Sequence, residues 1–194
     1  MKFILASSSP RRRDLLASIG LEFEVIPSHV PEVHQKGEAA EEYVARLSRD
    51  KADAIAQQHP SQWVIAADTT VLLGDQLLEK PEDPADAVRM LATIAGKTHM
   101  VYTGVTLQNV ERDYRETRVA ESEVRMLPLS RSEIEWYVAT GEPLDKAGSY
   151  AVQGIGSLFV EGVRGNFSNV VGLPLPLTYR LFSRLGYDLL GFRS

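Results

Sequence analysis

The stretch ILASSSPRRRDLLASIG, residues 4–20, passes from a short apolar run through three serines into a helix that opens on three consecutive arginines. A helix N-terminus carries partial positive charge, so each exposed cation there costs roughly 0.3–1 kcal/mol. An anion held at the turn offsets that cost. Ser9 suits an N-cap and Pro10 the first helical position. Backbone N–H groups at a helix start point outward, serine hydroxyls add donors, and arginine forks match phosphate oxygens two at a time. The stretch therefore predicts a strand, an anion-binding turn and helix start at SSSPRRR, Ser7–Arg13, and a helix ending at Gly20. A capped helix with a solvated basic first turn is the plainer alternative. The chain has no G-x-x-x-x-G-K-[ST] and no G-x-G-x-x-G after a strand.

Outward from this unit, helical and strand patterns alternate. Leu21–Ile26 alternates apolar and polar residues as a strand does, and Ser28–Gly37 reads as a loop. Glu38–Gln58 repeats Ala40, Tyr43, Val44, Leu47, Ala52 and Ile55 at helical spacing. Trp63–Ala67 is a second buried strand, ending at Asp68. Residues 71–78 suggest a hairpin, and Asp83-Pro84 opens a helix to Ile94. His99–Gln108 and Thr117–Met126 read as long strands around the turn NVERDY. Ser130 and Glu133 form a capping box for a helix through Val138, and the aromatics of WYVAT are expected in the core. Tyr150–Val152 and Ser157–Val163 are short strand candidates, VRGN a hairpin turn, and Leu173–Leu185 a final helix. Mixed strands and helices without repeat or linker predict one α/β domain over 1–194, with two lobes flanking a cleft.

The 194 residues are 44% hydrophobic and 24% charged, an ordinary globular balance. The formal net charge of -5 gives no general attraction to nucleic acid or an anionic membrane, so the arginines act locally. No cysteine is present, which excludes disulfides, thiolate metal sites and cysteine nucleophiles. The apolar run near the N-terminus is shorter than a signal-peptide core, and no stretch reaches a membrane span. A soluble, cytoplasmic protein is expected.

Further motifs carry chemistry. In VIAADTT, residues 64–70, a carboxylate closes a buried strand, where open α/β sheets bind ligands. Asp68 can hold Mg²⁺ or accept a proton from water, or merely cap a turn. In LLEKP, residues 77–81, Glu79 and Lys80 are either a solvated pair or two groups turned toward a ligand before Pro81. PLDKAGSYAVQGIG, residues 143–156, sets Asp145, Lys146 and Gln153 among small residues that let a ligand approach the backbone. The Gln153 amide offers a donor and an acceptor to a base edge. Lys51 lies within the second helix, and Glu32 sits between His29 and His34. The histidines read as solvated loop residues, because no third metal ligand has a convincing spacing.

Taken together and in order, LASSSPRRRDLL, AADTTV, EKP, DKAGSYAVQG and NVVGLP resemble the Maf family of nucleoside triphosphate pyrophosphatases over essentially the whole chain. The resemblance implies hydrolysis of the α–β phosphoanhydride bond, a divalent cation (Mg or Mn) and a homodimer. It implies a mixed twisted α/β sheet flanked by helices, with two lobes around a deep cleft, similar to inosine triphosphate pyrophosphatases. Carried over by position, Ser7, Arg12, Glu32, Lys51, Asp68, Glu79, Lys80 and Gln153 match the family's cleft residues, Glu32 most loosely. Asp68 matches the proton acceptor. Arg12, Lys51 and Lys80 would neutralise the triphosphate and Ser7 would orient it. Glu32, Asp68 and Glu79 are the carboxylates available for metal and water.

Arg11, Thr69 and Gln153 resemble the subgroup acting on dTTP and UTP. Uracil and thymine offer an N–H flanked by carbonyls, which an amide pairs well, whereas guanine's two adjacent donors suit a carboxylate. Leaving one buried polar group unpaired costs about 1–3 kcal/mol, enough for useful selectivity. The expected function is a dTTP/UTP pyrophosphatase, with modified pyrimidine nucleotides included. A 7-methyl-GTP pyrophosphatase and a non-catalytic nucleotide-binding regulator of septum formation are the alternatives; a nucleic-acid binder is disfavoured by the charge.

Overall fold

The computed structural model describes residues 3–187. Its elements run β1 (Phe3–Leu5), α1 (Pro10–Ser18), β2 (Phe23–Val25), α2 (Ala40–Ala56), β3 (Trp63–Leu73), β4 (Gln76–Leu78), α3 (Pro84–Ile94), β5 (Thr98–Asn109), β6 (Tyr114–Met126), α4 (Arg131–Ala139), β7 (Val160–Gly165), α5 (Phe167–Val171) and α6 (Leu175–Arg184). Three short 3₁₀ turns lie between α4 and β7. The strands form a mixed seven-stranded sheet in the order β2-β1-β3-β5-β6-β7, with β4 paired to β3. The mixed, helix-flanked α/β sheet expected from the sequence is therefore present. The chain divides into two compact units, matching in number the expected lobes.

The first unit takes in residues 1–68, 103–120 and 172–194. Its ladder is parallel: Leu5 faces Val25 on β2 and Ile65 on β3. A strand buried on both faces needs continuous apolar sequence, and FIL and WVIAA supply it. Phe3 and Leu5 pack with Leu16, Trp63, Ile65, Leu173, Leu181 and Phe182, while Ile4, Ala6 and Val64 pack with Ala52, Ile55 and Ala56. The apolar stripe read from α2 is buried as its spacing requires: Ala40, Tyr43, Val44, Leu47, Ala52 and Ile55 all lie in the core. Glu42 accepts from the Ala39 N–H at 3.3 Å and so ties down the start of α2. Gly104 of β5 lets that helix approach closely. A Cβ there would lie 2.3 Å from the Val44 carbonyl oxygen and 2.9 Å from the Ala45 nitrogen.

The second unit takes in residues 69–102 and 121–171. Its core gathers Val71, Leu78, Leu91, Ile94, Val101, Val124, Ile134, Tyr137, Tyr150 and Phe159. Asp83 caps α3 by accepting from the Asp86 N–H at 2.8 Å, with Pro84 first in the helix. The Ser130–Glu133 capping box also forms: the Ser130 N–H donates to Glu133 at 2.7 Å and the Glu133 N–H donates to the Ser130 hydroxyl at 3.3 Å.

Several local readings need correction. β3 does not end at Asp68 but continues to Leu73, where its end pairs antiparallel with β4. Tyr150–Val152 is not a strand: the Ala151 N–H donates to the Tyr137 hydroxyl at 3.1 Å instead of to a neighbouring strand. The strand expected from Ser157 begins at Val160, and VRG belongs to it rather than to a turn. Of the WYVAT aromatics Tyr137 is fully buried, but its neighbour Trp136 is 54% exposed, since adjacent helical residues face different directions.

Candidate active site

The three arginines of α1 take three different environments. Arg12 turns inward: its Nε donates to the Gly172 carbonyl at 2.8 Å and its guanidinium donates to the Ser7 hydroxyl at 3.2 Å. Burial pulls the guanidinium below its ordinary pKa, while the Asp68 and Glu32 carboxylates act in the opposite sense and Arg11 adds to the lowering. Arg13 lies outside, paired with Asp14 at 3.0 Å. Arg11 is half-buried between these two. Ser9 takes the N-cap position with no side-chain cap; its N–H donates instead to the Ser7 hydroxyl at 3.2 Å. Ser7 is thus committed to the turn from both sides, and α1 carries no acidic residue in its first turn.

The second feature is a lysine held between two carboxylates. Lys51 comes from the buried stripe of α2 and is 5% exposed. Its ammonium donates to Asp68 Oδ1 at 2.5 Å and to Glu32 Oε1 at 2.5 Å. The Asp68 side chain is buried, whereas that of Glu32 retains 32% of its exposure. Asp68 lies three residues past Ile65, the last β3 partner of β1, and Ser7 lies two past the end of β1. Both therefore sit just beyond the carboxyl end of the parallel β1–β3 ladder, where open α/β sheets bind ligands. Strand alternation puts Asp68 and Thr70 on one side of β3 and Thr69 on the other.

In the second unit, Glu79 follows β4 and accepts from the buried Thr70 hydroxyl at 2.5 Å, while its carbonyl accepts the Gly148 N–H at 3.2 Å. Lys80 is exposed. Lys146 bonds Asp145 at 2.6 Å and also the Glu142 carbonyl. Gln153 is exposed on extended backbone just ahead of Gly154, which has φ +68°. The structure thus brings Ser7, Arg12, Glu32, Lys51 and Asp68 into one group, and ties Glu79 to Thr70 and to the Gly148 backbone. Sequence reasoning missed Thr70 and the Gly172 carbonyl. The two-residue spacing from Asp68 signals Thr70; nothing local signals a carbonyl acceptor 160 residues from Arg12.

A magnesium-type cation takes hard oxygen donors, commonly one or two carboxylates, with water and substrate phosphates completing its shell. Asp68 and Glu32 supply that donor chemistry: their carboxylates lie close together, each with an oxygen 2.5 Å from the Lys51 ammonium, and each has a second oxygen for a cation beside it. Among the described residues no group of three or more His, Cys, Asp or Glu converges. His34 instead contacts the Glu38 carbonyl at 2.8 Å, consistent with a structural loop histidine.

Fold and side chains together define a class: mixed α/β proteins with a polar strand–turn–helix and a lysine-bridged pair of carboxylates beyond the carboxyl end of a parallel ladder. A family profile described as Maf-like protein matches residues 2–185. The chain belongs to the Maf family. A relative from Myxococcus xanthus (strain DK1622), called a dTTP/UTP pyrophosphatase, is 51% identical, over 96% of this chain and 93% of its own. Relatives of the same name from Koribacter versatilis (strain Ellin345) and Geobacter sulfurreducens are 47% and 45% identical, covering 96% and 95% of this chain and 95% and 97% of theirs. Among solved structures, the Staphylococcus aureus Ham1 protein matches at a TM-score of 0.44 and 13% identity, over 80% of this chain and 78% of its own, too distant to argue from.

Proposed function

We propose that this protein hydrolyses dTTP and UTP, and modified pyrimidine nucleotides of the same edge, to the nucleoside monophosphate and pyrophosphate. The observation that carries the reading is the Lys51 ammonium bridging the Asp68 and Glu32 carboxylates at 2.5 Å each, in the group that holds Arg12. A phosphoanhydride in water is protected by its own negative charge. Fixed cations and a positioned base lower that barrier where the charge develops.

In this reading the Asp68 carboxylate takes a proton from water as its oxygen bonds to the α-phosphorus. The bond from that phosphorus to the α–β bridging oxygen breaks, and pyrophosphate leaves with the electron pair. Lys51 holds the Asp68 carboxylate in place through its 2.5 Å bond; Arg12, Lys51 and Lys80 balance the triphosphate charge. Ser7 orients the phosphates, and Glu79, fixed by Thr70, completes the acidic set. Arg11, Thr69 and Gln153 select the base. Asp68 and Glu32 would hold a Mg or Mn ion, which when bound neutralises phosphate charge and polarises the phosphoryl oxygens.

Residues 1–194 act as one Maf-like domain, as a cytoplasmic homodimer that engages neither nucleic acid nor membrane. The net charge of -5 gives no general attraction to nucleic acid or an anionic membrane, and no described helix is long and apolar enough to cross a membrane. The test is a panel of triphosphates with Mg²⁺ and separate readouts for pyrophosphate and orthophosphate. Pyrophosphate from dTTP and UTP is expected, with activity lost on chelation and restored by the cation. Asp68→Asn should lower kcat by roughly 10²–10⁴-fold, the contribution of a positioned base, with nucleotide binding kept. Release of orthophosphate, a preference for 7-methyl-GTP, or binding without turnover in the wild type would each defeat the proposal.

A further inference from the structure

The loop that carries Gln153 is held by two side chains outside the motifs read from the sequence. Glu142, in the 3₁₀ turn after α4, accepts the Gly156 N–H at 2.8 Å and the Tyr137 hydroxyl at 2.8 Å on Oε1, and the Ile155 N–H at 3.0 Å on Oε2. The Tyr137 hydroxyl in turn accepts the Ala151 N–H at 3.1 Å. The backbone is thus gripped at 151 on one side of Gln153, and at 155 and 156 on the other. Tyr137 is fully buried and packs edge-on against Phe159, with ring centroids 5.3 Å apart, so the anchor is rigid.

The glycines around Gln153 follow from this grip. A Cβ on Gly154 would lie 2.5 Å from Glu142 Oε2, and one on Gly156 would lie 2.4 Å from both the Tyr137 hydroxyl and the Ala151 carbonyl oxygen. Desolvation raises the Glu142 pKa, but the Gly156 and Ile155 amides, the Tyr137 hydroxyl and Lys146 outweigh it, and the carboxyl is held below its ordinary value. It stays an acceptor on both oxygens at neutral pH.

We propose that Glu142, acting with Tyr137, is a positioning residue for base selection, fixing the 151–156 loop so that the Gln153 amide meets the pyrimidine edge at a set place. The inference rests on the reading that Gln153 pairs with the base. An exposed amide on a loop free to shift gains little selectivity. The same amide on a clamped backbone discriminates by geometry, because a mismatched edge leaves its donor or acceptor unpaired.

Three variants are compared for kcat and KM on UTP and GTP. Glu142→Gln keeps the shape but replaces one acceptor oxygen with a donor that faces an N–H. It should raise KM for UTP about tenfold and narrow the UTP-over-GTP ratio by a similar factor, with kcat changed less than about twofold. Tyr137→Phe removes only the hydroxyl that joins Ala151 to Glu142 and should act in the same direction at about threefold. In a Gln153→Ala background, Glu142→Gln should narrow the ratio no further, because the two residues act as one unit. If Gln153→Ala retains the UTP preference, the base reading itself fails. If Gln153→Ala loses it while Glu142→Gln and Tyr137→Phe keep it, the positioning role is overturned and the base reading stands. A Glu142→Gln that does not fold leaves the decision to Tyr137→Phe on the same two outcomes.

Discussion

Lys51→Met is the perturbation that tests the centre most directly. Methionine fills a similar volume but leaves Asp68 without the cation it meets at 2.5 Å. The Lys51 and Asp68 side chains are 7% and 6% exposed, so the pair is buried, and removing one partner strands a charge. Breaking such a pair costs about 3–5 kcal/mol. The Glu32 side chain, 32% exposed, can turn toward water, so its share of the bond adds little. For a chain of this size each kcal/mol lowers the melting temperature by roughly 2–4 °C, so a fall of about 6–20 °C is expected at pH 7. The double variant Lys51→Met/Asp68→Asn removes the stranded carboxylate as well, leaving Glu32 as the counter-charge of Arg12, and should recover more than half of the loss, while remaining inactive. Calorimetric or spectroscopic melting of wild type, both single variants and the double gives the full cycle. A Lys51→Met variant within about 0.5 kcal/mol of wild type, the range of an ordinary surface change, or a double variant less stable than either single, would overturn the buried-pair account.

Other outcomes follow from packing and burial. Gly104→Ala places a methyl 2.3 Å from the Val44 carbonyl oxygen, backbone against backbone, so α2 must move; a loss of about 3 kcal/mol or more is expected by urea denaturation, larger than ordinary overpacking. Burial lowers the His99 pKa from 6.5 to about 4. Its folded-state pKa is depressed, so it contributes stability above pH 6.5 that is lost as pH falls toward 4, by up to about 3 kcal/mol. His99→Gln should flatten that limb of the stability–pH curve relative to wild type, and equal slopes would contradict it. Asp83→Ala removes the acceptor of the Asp86 N–H and should cost about 1 kcal/mol in the same melting assay.

Features governed by neighbours within a turn or two can be read directly from the amino-acid order. The Ser130–Glu133 box, the Asp83-Pro84 start, the buried stripe of α2 and the β1–turn–α1 unit were legible because caps, proline and periodicity act over three to seven residues. The site residues were nominated by motif, and the order of the motifs carried the resemblance to the family. Which charges meet depends on the folded backbone. Lys51 reads equally well as a surface lysine until α2 packs and delivers it to Asp68, 17 residues away, and to Glu32, 19 residues away. The short 150–152 run reads as a strand until Tyr137, 14 residues away, claims the Ala151 N–H. Pairing across such separations depends on where the core sets each backbone, and no local pattern encodes it.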